Sequence, residues 1–239
     1  MEICKSLRKN GAMNAATPAP RRGRPPKALA QLTRSTIREA ALTVIDDDGI
    51  AAVSMRSVSR LLGVDAKSLY HHVTDKDDLL DAVAEHLLGQ LRPPAPTGDL
   101  RTDLRALAYE FRRVTLAHPE AATLVLTRQM STLAGLTPVD ALLSILRRAG
   151  AGAEQAVRLT RVLVAAVVGM LLREVSAGPT FGSGDPADIT ARQAELDDSA
   201  LPEVVACAPF LARFDRDAEF ASGVDFVVDF VAFQLARLT

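Results

Sequence analysis

The chain has 239 residues, a net charge of −1 and a hydrophobic share of 48%. This length accommodates one large domain or a small domain followed by a larger one, and the near-neutral total excludes a polycationic protein. Two cysteines, Cys4 and Cys207, are too few for a disulfide framework, so we expect a protein of the reducing cytoplasm. The longest uninterrupted apolar run, Val162–Leu172, has eleven residues, which is too short to cross a bilayer, and we expect no membrane partner.

Basic residues are concentrated at the N-terminus, where residues 1–38 contain nine Lys and Arg against one acid. Residues 1–32 are also rich in Ala, Pro and Gly, so we interpret them as a basic arm that stays disordered until it binds. Within this arm, Arg22-Gly23-Arg24-Pro25 resembles the core of an AT-hook. Extended arginines fit the narrow minor groove of A·T tracts, whose negative potential attracts guanidinium groups. We hypothesise that Arg22 and Arg24 read a minor groove; a nonspecific basic tail is the alternative.

A first helix is predicted from Thr33, because apolar residues recur at helical spacing as far as the turn at Gly49. They are Ile37, Ala40, Ala41, Val44 and Ile45. Residues 54–73 (SMRSVSRLLGVDAKSLYHHV) then have the pattern of a helix-turn-helix.

The first helix of this motif is predicted to begin at the N-cap Ser54 and the second at the N-cap Asp65, with Gly63 in the turn between them. The predicted buried face consists of Val58, Leu61 and Leu62 in the first helix, and Leu69 and Val73 in the second. The opposite side of the second helix carries Lys67, Ser68, Tyr70 and His71. A short helix with such an outward face is suited to enter a DNA groove.

Further DNA contacts are predicted around this motif. Ser54 and the helix N-terminus that it caps can hold a phosphate. Arg56 lies one turn into the same helix, and Lys76 opens the next helix, where its charge also favours phosphate. The alternative for all of these side chains is an ordinary solvated surface.

A long fourth helix is predicted from Asp75, which together with Asp78 resembles a capping box with Asp in place of Glu. Its apolar face extends to Leu91, and the proline-rich stretch 93–96 then ends it. We therefore expect a basic arm at 1–32, a helix-turn-helix domain at 33–92 and a second domain at 93–239.

The second domain also has helical patterns throughout. Helices are predicted at Leu100–His118, Thr137–Ala149, Ala153–Val175, about Ser199–Cys207 and about Asp215–Leu238. Residues 176–198 contain so many Gly, Pro and Asp residues that we predict a long loop. The second half of Ala153–Val175 is almost entirely apolar, so we expect it to be buried on most sides. With no convincing strand, the prediction is an all-α fold: an N-terminal three-helix helix-turn-helix head plus a larger helical domain.

The span Ile37–Leu91 resembles the TetR family of transcriptional regulators. The resemblance is most specific at Ser68-Leu69-Tyr70-His71-His72-Val73, followed by Lys76 and Leu79-Leu80. Fragments of the second domain, such as Phe111-Arg112 and Thr127-Arg128, resemble the C-terminal domain of the tetracycline-repressor type. The resemblance implies a homodimer whose heads bind the major groove of a palindromic operator in double-stranded DNA. It also implies that an unidentified small-molecule effector binds the body and lowers DNA affinity, and that Ala153–Val175 and the last helix pair with their copies in the partner.

A cavity between the helices of the body is the expected effector site. Its candidate polar or soft wall residues are Arg92, Phe111, Arg128, Met130, Met170 and Arg173; ordinary core or surface positions are the alternative for each. Tetracycline is a doubtful ligand, because Arg92 and Leu124 or Val125 stand where tetracycline-binding relatives place histidines. Apolar walls with a few arginines suit a hydrophobic, anionic effector.

No enzyme chemistry is indicated. The four histidines are not paired with Cys or carboxylates at ligand spacing, so we expect no metal and no cofactor. Neither a phosphate-binding glycine loop nor a nucleophile elbow is present in the sequence. The sequence predicts a DNA-binding transcriptional regulator, a repressor released from its operator by an effector. One alternative is an effector-independent or architectural DNA-binding protein; another is a helical enzyme or carrier with an accidental helix-turn-helix pattern.

Overall fold

The computed structural model of the chain describes residues 32–128, 136–176 and 181–237, without the side chain of Ser176. These residues form the helices α1 (Arg34–Asp48), α2 (Met55–Leu62), α3 (Ala66–Leu69), α4 (Lys76–Leu88), α5 (Leu100–Ala117), α6 (Pro119–Thr127), α7 (Thr137–Arg148), α8 (Ala153–Ser176), α9 (Pro186–Asp197), α10 (Pro202–Leu211) and α11 (Arg216–Ala236). Extended pairing in the described residues is limited to one isolated bridge between Ser183 and Arg213. The predicted all-α fold is confirmed.

The head consists of α1, α2 and α3 packed together, with α4 lying against α1. Thr33 and Ser54 each form a capping box with the residue three positions on, which satisfies two of the free N–H groups at each helix start. Ile37, Ile45 and Leu69 are completely buried where these helices meet. The predicted helix starts and the core of the first helix are therefore correct.

The predicted buried face of α2 is wrong at one position. Leu61 is 53% exposed, whereas Met55, Val58 and Ser59 are buried and Leu62 packs against the core. The inner face thus follows the spacing i, i+3, i+4, i+7 with Ser59 as a member, and its hydroxyl donates to the Arg56 carbonyl. Leu61 lies outside this face, since it is not among the positions 55, 58, 59 and 62 that turn inward.

The predicted capping box at α4 is also wrong. Asp75 caps the helix by accepting from the Asp78 backbone N–H, but Asp78 does not return the bond. Its carboxylate accepts instead from the N–H and hydroxyl of Thr74, at 2.8 and 2.9 Å, and pairs with Arg34 of α1. The Asp78 carboxylate is therefore used for bonds to Thr74 and to Arg34 of α1 rather than for a bond back to the N–H of Asp75.

The body packs α5, α7, α8 and α11 around a second core that includes Leu146, Leu171 and Val231. Ion pairs join α5 to α11: Arg101 with Asp229, Arg105 with Asp225, and Arg112 with Asp217. Arg112 also binds Glu174 of α8 at 2.7 Å and lies over the ring of Phe220. Helix α6 packs against α1, α4, α5 and α8, and so connects the head to the body.

The loop predicted at 176–198 is wrong, because α9 occupies Pro186–Asp197. Asp185 accepts from the N–H groups of Ala187 and Asp188, and Pro186 stands in the first turn. An Asp-Pro pair is thus an N-cap followed by a favourable first helical residue here, not a turn signal. Helix α10 also extends beyond the predicted Cys207 to Leu211, with Pro209 inside it.

The second half of α8 is not buried on most sides within one chain. Leu159, Leu163 and Leu171 lie in the core, but Val162 and Val164 are 45% and 43% exposed. Within Ala153–Val175, the most apolar stretch of eighteen residues has a mean hydropathy of 1.7, so the helix is long and apolar enough to cross a membrane by those measures. A third of that stretch is buried inside the chain's own fold. The eleven-residue run Val162–Leu172 therefore gave too short an estimate of the apolar length of this helix.

Candidate DNA-binding surface and ligand cavity

The helix-turn-helix presents one continuous polar surface. Gly63 adopts a φ of +68°, which turns the chain between α2 and α3. Asp65 then accepts from the Lys67 N–H at 2.7 Å and begins α3. Leu69 fixes α3 to the core with its side chain completely buried, while Tyr70 next to it is 55% exposed. Lys67 and His71 are exposed as well, and Ser68 is half-buried.

The start of α2 and the start of α4 flank this surface. Ser54 and Arg56 are exposed at the first turn of α2. The Ser54 hydroxyl is occupied by the capping box, because it accepts from the Ser57 N–H at 3.0 Å and donates to the Ser57 hydroxyl at 3.1 Å. Lys76 is the first residue of α4 and is exposed. The structure therefore brings the predicted DNA-binding residues of the head to the ends of three adjacent helices.

Arg34 is a positioning residue that the sequence did not indicate. Its guanidinium donates to the carbonyl of His72 at 3.1 Å, just after α3, and pairs with Asp78 of α4. The pKa of Asp78 is lowered, mainly by the hydrogen bond from Arg34, with Thr74 adding to the effect and burial opposing it. Arg34 thus holds the starts of α1 and α4 and the end of the recognition helix together. Only the tertiary fold brings residues 34, 72 and 78 together.

A cavity of about 280 Å³ lies between α4, α5, α6, α7 and α8. Its walls are formed by Leu88, Leu91, Leu104, Leu107, Ala108, Phe111, Val125, Leu126, Arg128, Pro138, Val139, Leu142, Leu163, Val164, Val167 and Val168. Among these described lining residues, Arg128 alone carries a charge. Such an apolar cavity between helices is suited to bind a small hydrophobic molecule.

The predicted ligand-binding residues are only partly brought together. Phe111 and Arg128 line the cavity, whereas Arg92, Met170 and Arg173 do not. Arg92 donates to the carbonyls of Gly89 and Leu91 at the end of α4. Met170 packs against Gly223 of α11, and Arg173 is exposed on α8. Met130, Arg22 and Arg24 lie outside the described residues.

Arg128 connects the cavity wall to the head. It follows the last residue of α6, and its Nη2 donates to Asp77 Oδ1 at 2.9 Å. Its Nη1 donates to the Asp77 carbonyl at 3.2 Å and to the carboxylate of Asp81. At the other end of α6, His118 Nδ1 lies 2.9 Å from Asp46 of α1. A contact between His118 and Asp46 therefore links the start of α6 to α1, and the ion pairs of Arg128 link its end to α4.

A second depression lies at the starts of α9 and α11, with a volume of about 940 Å³ and a wide opening to solvent. It is lined by both acids and bases, among them Asp185, Asp215 and Arg213, and touches neither α4 nor α6. In the described part of the chain, no group of three or more His, Cys, Asp and Glu side chains is arranged to hold a metal ion. The cavity beside Arg128 is therefore the better candidate for an effector site.

Comparisons with known proteins match both parts of the chain. The family profile described as "Bacterial regulatory proteins, tetR family" matches residues 37–83, and that of the "Tetracyclin repressor-like, C-terminal domain" matches residues 92–234. An HTH-type transcriptional regulator of Saccharopolyspora erythraea is 32% identical over 198 residues, which cover 79% of this chain and 82% of that protein. The tetracycline repressor class A from transposon 1721 of Escherichia coli is 29% identical over 213 residues, covering 85% and 92%.

Solved structures agree with this assignment. ActR, a TetR family protein of Streptomyces coelicolor, matches with a TM-score of 0.76 and 25% identity in its complex with (S)-DNPA, covering 86% of this chain and 100% of ActR. The complex of ActR with actinorhodin matches with the same TM-score and identity, covering 86% of this chain and 99% of ActR. The family consists of DNA-binding transcriptional regulators rather than enzymes. The chain is a member of the TetR family of transcriptional regulators.

Proposed function

We propose that this regulator is a homodimeric repressor that binds a near-palindromic operator and leaves it when a small effector occupies the cavity of the body. The observation that carries the proposal is the position of Arg128, which lines the cavity and is bonded to the helix that begins with Lys76. A molecule that enters the cavity therefore acts on a residue tied to the DNA-binding head. The alternative of an effector-independent architectural protein requires a filled body, which this cavity does not favour.

The proposed DNA contacts follow from exposure and chemistry. Lys67 and Ser68 lead the recognition helix and approach base edges or phosphates in the major groove. Tyr70 and His71 add hydrogen-bond donors and flat rings at its end. Arg56 and the first-turn N–H groups of α2 that the cap at Ser54 leaves unbonded hold a phosphate on one side, and Lys76 holds one on the other.

The basic arm is proposed to extend this contact. Its Arg22 and Arg24 insert into the minor groove beside the major-groove site, where guanidinium groups are attracted by a narrow A·T tract. Deleting residues 1–27 should weaken operator binding and reduce the dependence of affinity on salt. An unchanged affinity and salt slope would contradict this role.

The two exposed apolar stripes of the body are the proposed dimer interface. On α11, Phe226, Phe230 and Phe233 are 77%, 41% and 58% exposed and recur at helical spacing. On α8, Val157 and Val164 lie two turns apart on one face and are 39% and 43% exposed. Exposed apolar patches of this kind commonly mark protein interfaces. A two-fold dimer would then place its recognition helices roughly 34–36 Å apart, one turn of DNA.

Domain boundaries and location belong to the same proposal. We assign residues 33–92 to DNA binding and 93–239 to effector binding and dimerisation, because the proline-rich stretch 93–96 separates α4 from the helices of the body, the first of which is capped by Asp99. The protein works where its operator is, in the cytoplasm of the cell.

The effector is proposed to be a small, largely apolar molecule rather than a magnesium chelate. ActR is described with (S)-DNPA and with actinorhodin, and other relatives are named tetracycline repressors. By the resemblance, Leu124 or Val125 stands where tetracycline-binding relatives place a metal-ligating histidine, and Val125 gives the cavity an apolar wall there. Phe111 and Arg128 are the proposed ligand contacts.

Footprinting on the DNA upstream of the protein's own gene tests the proposal. The full chain should protect a near-palindromic site at fixed salt, and members of a metabolite library should release it. Lys67→Ala and Tyr70→Ala should weaken protection at least tenfold, whereas Arg192→Ala on the distant helix α9 should not. Equal binding to random DNA would contradict the proposal.

A further inference from the structure

Arg128 pairs with two aspartates of α4 and also lines the cavity of the body. Its guanidinium is already paired with Asp77, which is 82% exposed, and with Asp81, which is 34% exposed. The Arg128 side chain itself is 24% exposed. Burial disfavours its charge, but hydrogen bonds to Asp81 and Asp77 outweigh that effect and raise the pKa of Arg128. The cation is thus permanently charged and depends on anionic partners.

The rest of the cavity offers no competing polar chemistry in its described walls. Besides Arg128, the cavity is lined by leucine, valine, alanine, proline and phenylalanine side chains. A neutral apolar ligand would fill this space without giving Arg128 a new partner. A carboxylate would give it one, because the planar fork of arginine binds two oxygens at once. Inside an apolar cavity, that bond is shielded from water and gains strength.

We propose that the effector is an apolar molecule with one anionic group, and that this group takes Arg128 away from Asp77 and Asp81. The inference rests on the proposed function and adds the chemical class of the effector and the way in which it acts. The cavity of about 280 Å³ limits the apolar part to a small ring system or a medium-length chain.

The exchange of partners changes the charge of the head. Asp77 and Asp81 belong to the first two turns of α4, which begins with Lys76. While Arg128 is bound to them, their charges are compensated beside a proposed phosphate contact. Once the effector holds Arg128, two uncompensated carboxylates remain at this end of α4 and repel the DNA backbone. Coupling of this kind is reciprocal, so bound operator lowers the affinity for the effector by the same factor.

Binding of matched acid and amide pairs tests the chemical class. Decanoate and decanamide, and 4-phenylbutyrate and its amide, are titrated into the full chain by calorimetry. At least one acid should bind, ten or more times more tightly than its amide. This preference should disappear in Arg128→Gln and persist in the control Arg192→Gln. Failure of both acids to bind, equal affinity of acid and amide, or an acid preference that survives in Arg128→Gln would overturn the proposal.

Operator release tests the exchange itself, with the footprinted operator as the probe. The double variant Asp77→Asn/Asp81→Asn keeps Arg128 and removes the charges that the exchange would expose. It should bind operator at least as tightly as wild type, bind the acid at least as tightly, and lose most of the acid-induced release. Release equal to that of wild type would overturn the exchange. If no operator is found, the proposed function fails, whereas the acid preference is judged separately by calorimetry.

Discussion

Leu69 and Leu61 lie eight residues apart and contribute very differently to the head. Leu69 has no exposed surface and anchors the recognition helix, whereas Leu61 is 53% exposed. Because α3 spans only Ala66–Leu69, it has too few internal hydrogen bonds to be stable alone. The position of Lys67 and Tyr70 therefore depends on the burial of Leu69.

We expect Leu69→Ala to lower the free energy of unfolding by about 2–5 kcal/mol, through lost burial and the cavity that it leaves. The matched variant Leu61→Ala should change it by less than about 0.5 kcal/mol, as is usual for surface positions. Urea denaturation followed by circular dichroism measures both. Similar losses in the two variants would show that the assigned inner face of α2 is incorrect.

Asp78 is the second residue on which the head depends. Its lowered pKa, caused chiefly by the hydrogen bond from Arg34, means that folding favours the carboxylate. Such a group stabilises the fold at pH values above its unfolded pKa of about 3.9. That contribution is lost as the pH falls through the lower pKa of the folded state.

Asp78→Asn should therefore be less stable than wild type at pH 7, and the difference should shrink as the pH falls below about 4. Urea midpoints measured between pH 7 and pH 3 provide the comparison. Two curves that stay parallel over this range would exclude Asp78 as the source of the pH dependence.

At the scale of elements, α9 and α10 pack mainly on each other and are joined to the body where Ser183 pairs with Arg213. Ser183 donates its N–H to Ala212 and accepts from Phe214, both at 2.9 Å. Gly182 precedes this bridge with a φ of +79°, and a Cβ there would lie 2.7 Å from the carbonyl oxygens of Arg213 and Leu211. This junction needs a glycine for both its backbone conformation and its close packing.

Gly182→Ala should therefore destabilise the junction by about 1–3 kcal/mol. Gly184→Ala is the control in the same segment, since its Cβ would make an ordinary contact at 3.5 Å with the Phe214 carbonyl. Hydrogen exchange of the α9 and α10 amides reports the difference. Equal protection in the two variants would contradict the close approach at Gly182.

At the scale of the whole molecule, a single chain leaves apolar side chains of α8 and α11 exposed to water. Phe226 is 77% exposed, although phenylalanine is normally kept from water. The opposite side of α11 packs into the core through Val224, Val228 and Val231, and Asp225 and Asp229, beside the phenylalanine stripe, pair with α5. The helix is thus fixed in the body on one side and free for a second copy on the other.

Phe226→Asp should convert the dimer to a monomer at micromolar concentration and reduce operator affinity at least tenfold, because a single head binds one half-site. Phe226→Tyr keeps the aromatic ring and should remain dimeric. Sedimentation velocity and operator titration give the two readouts. A dimeric Phe226→Asp variant would place the interface elsewhere.

The sequence by itself determined the helical class, the helix starts at Thr33, Ser54, Asp65 and Asp75, and the polar surface of the recognition helix. These features depend on local rules: caps satisfy nearby N–H groups, and apolar residues recur with the helical period. The same local rules failed where an Asp-Pro pair began α9 and where Asp78 bonded to Thr74 and Arg34 instead of completing a capping box with Asp75.

Only the tertiary structure decided which side chains meet. It brought Arg34 to His72 and Asp78, and it placed Arg128 between the cavity and α4, contacts that join residues 38 to 51 positions apart. It also showed that the apolar half of α8 is only partly covered by its own chain. The helical period predicts which residues avoid water, but the packing of helices distant in sequence decides what covers them. The same packing forms the cavity and leaves the exposed face proposed for a second copy.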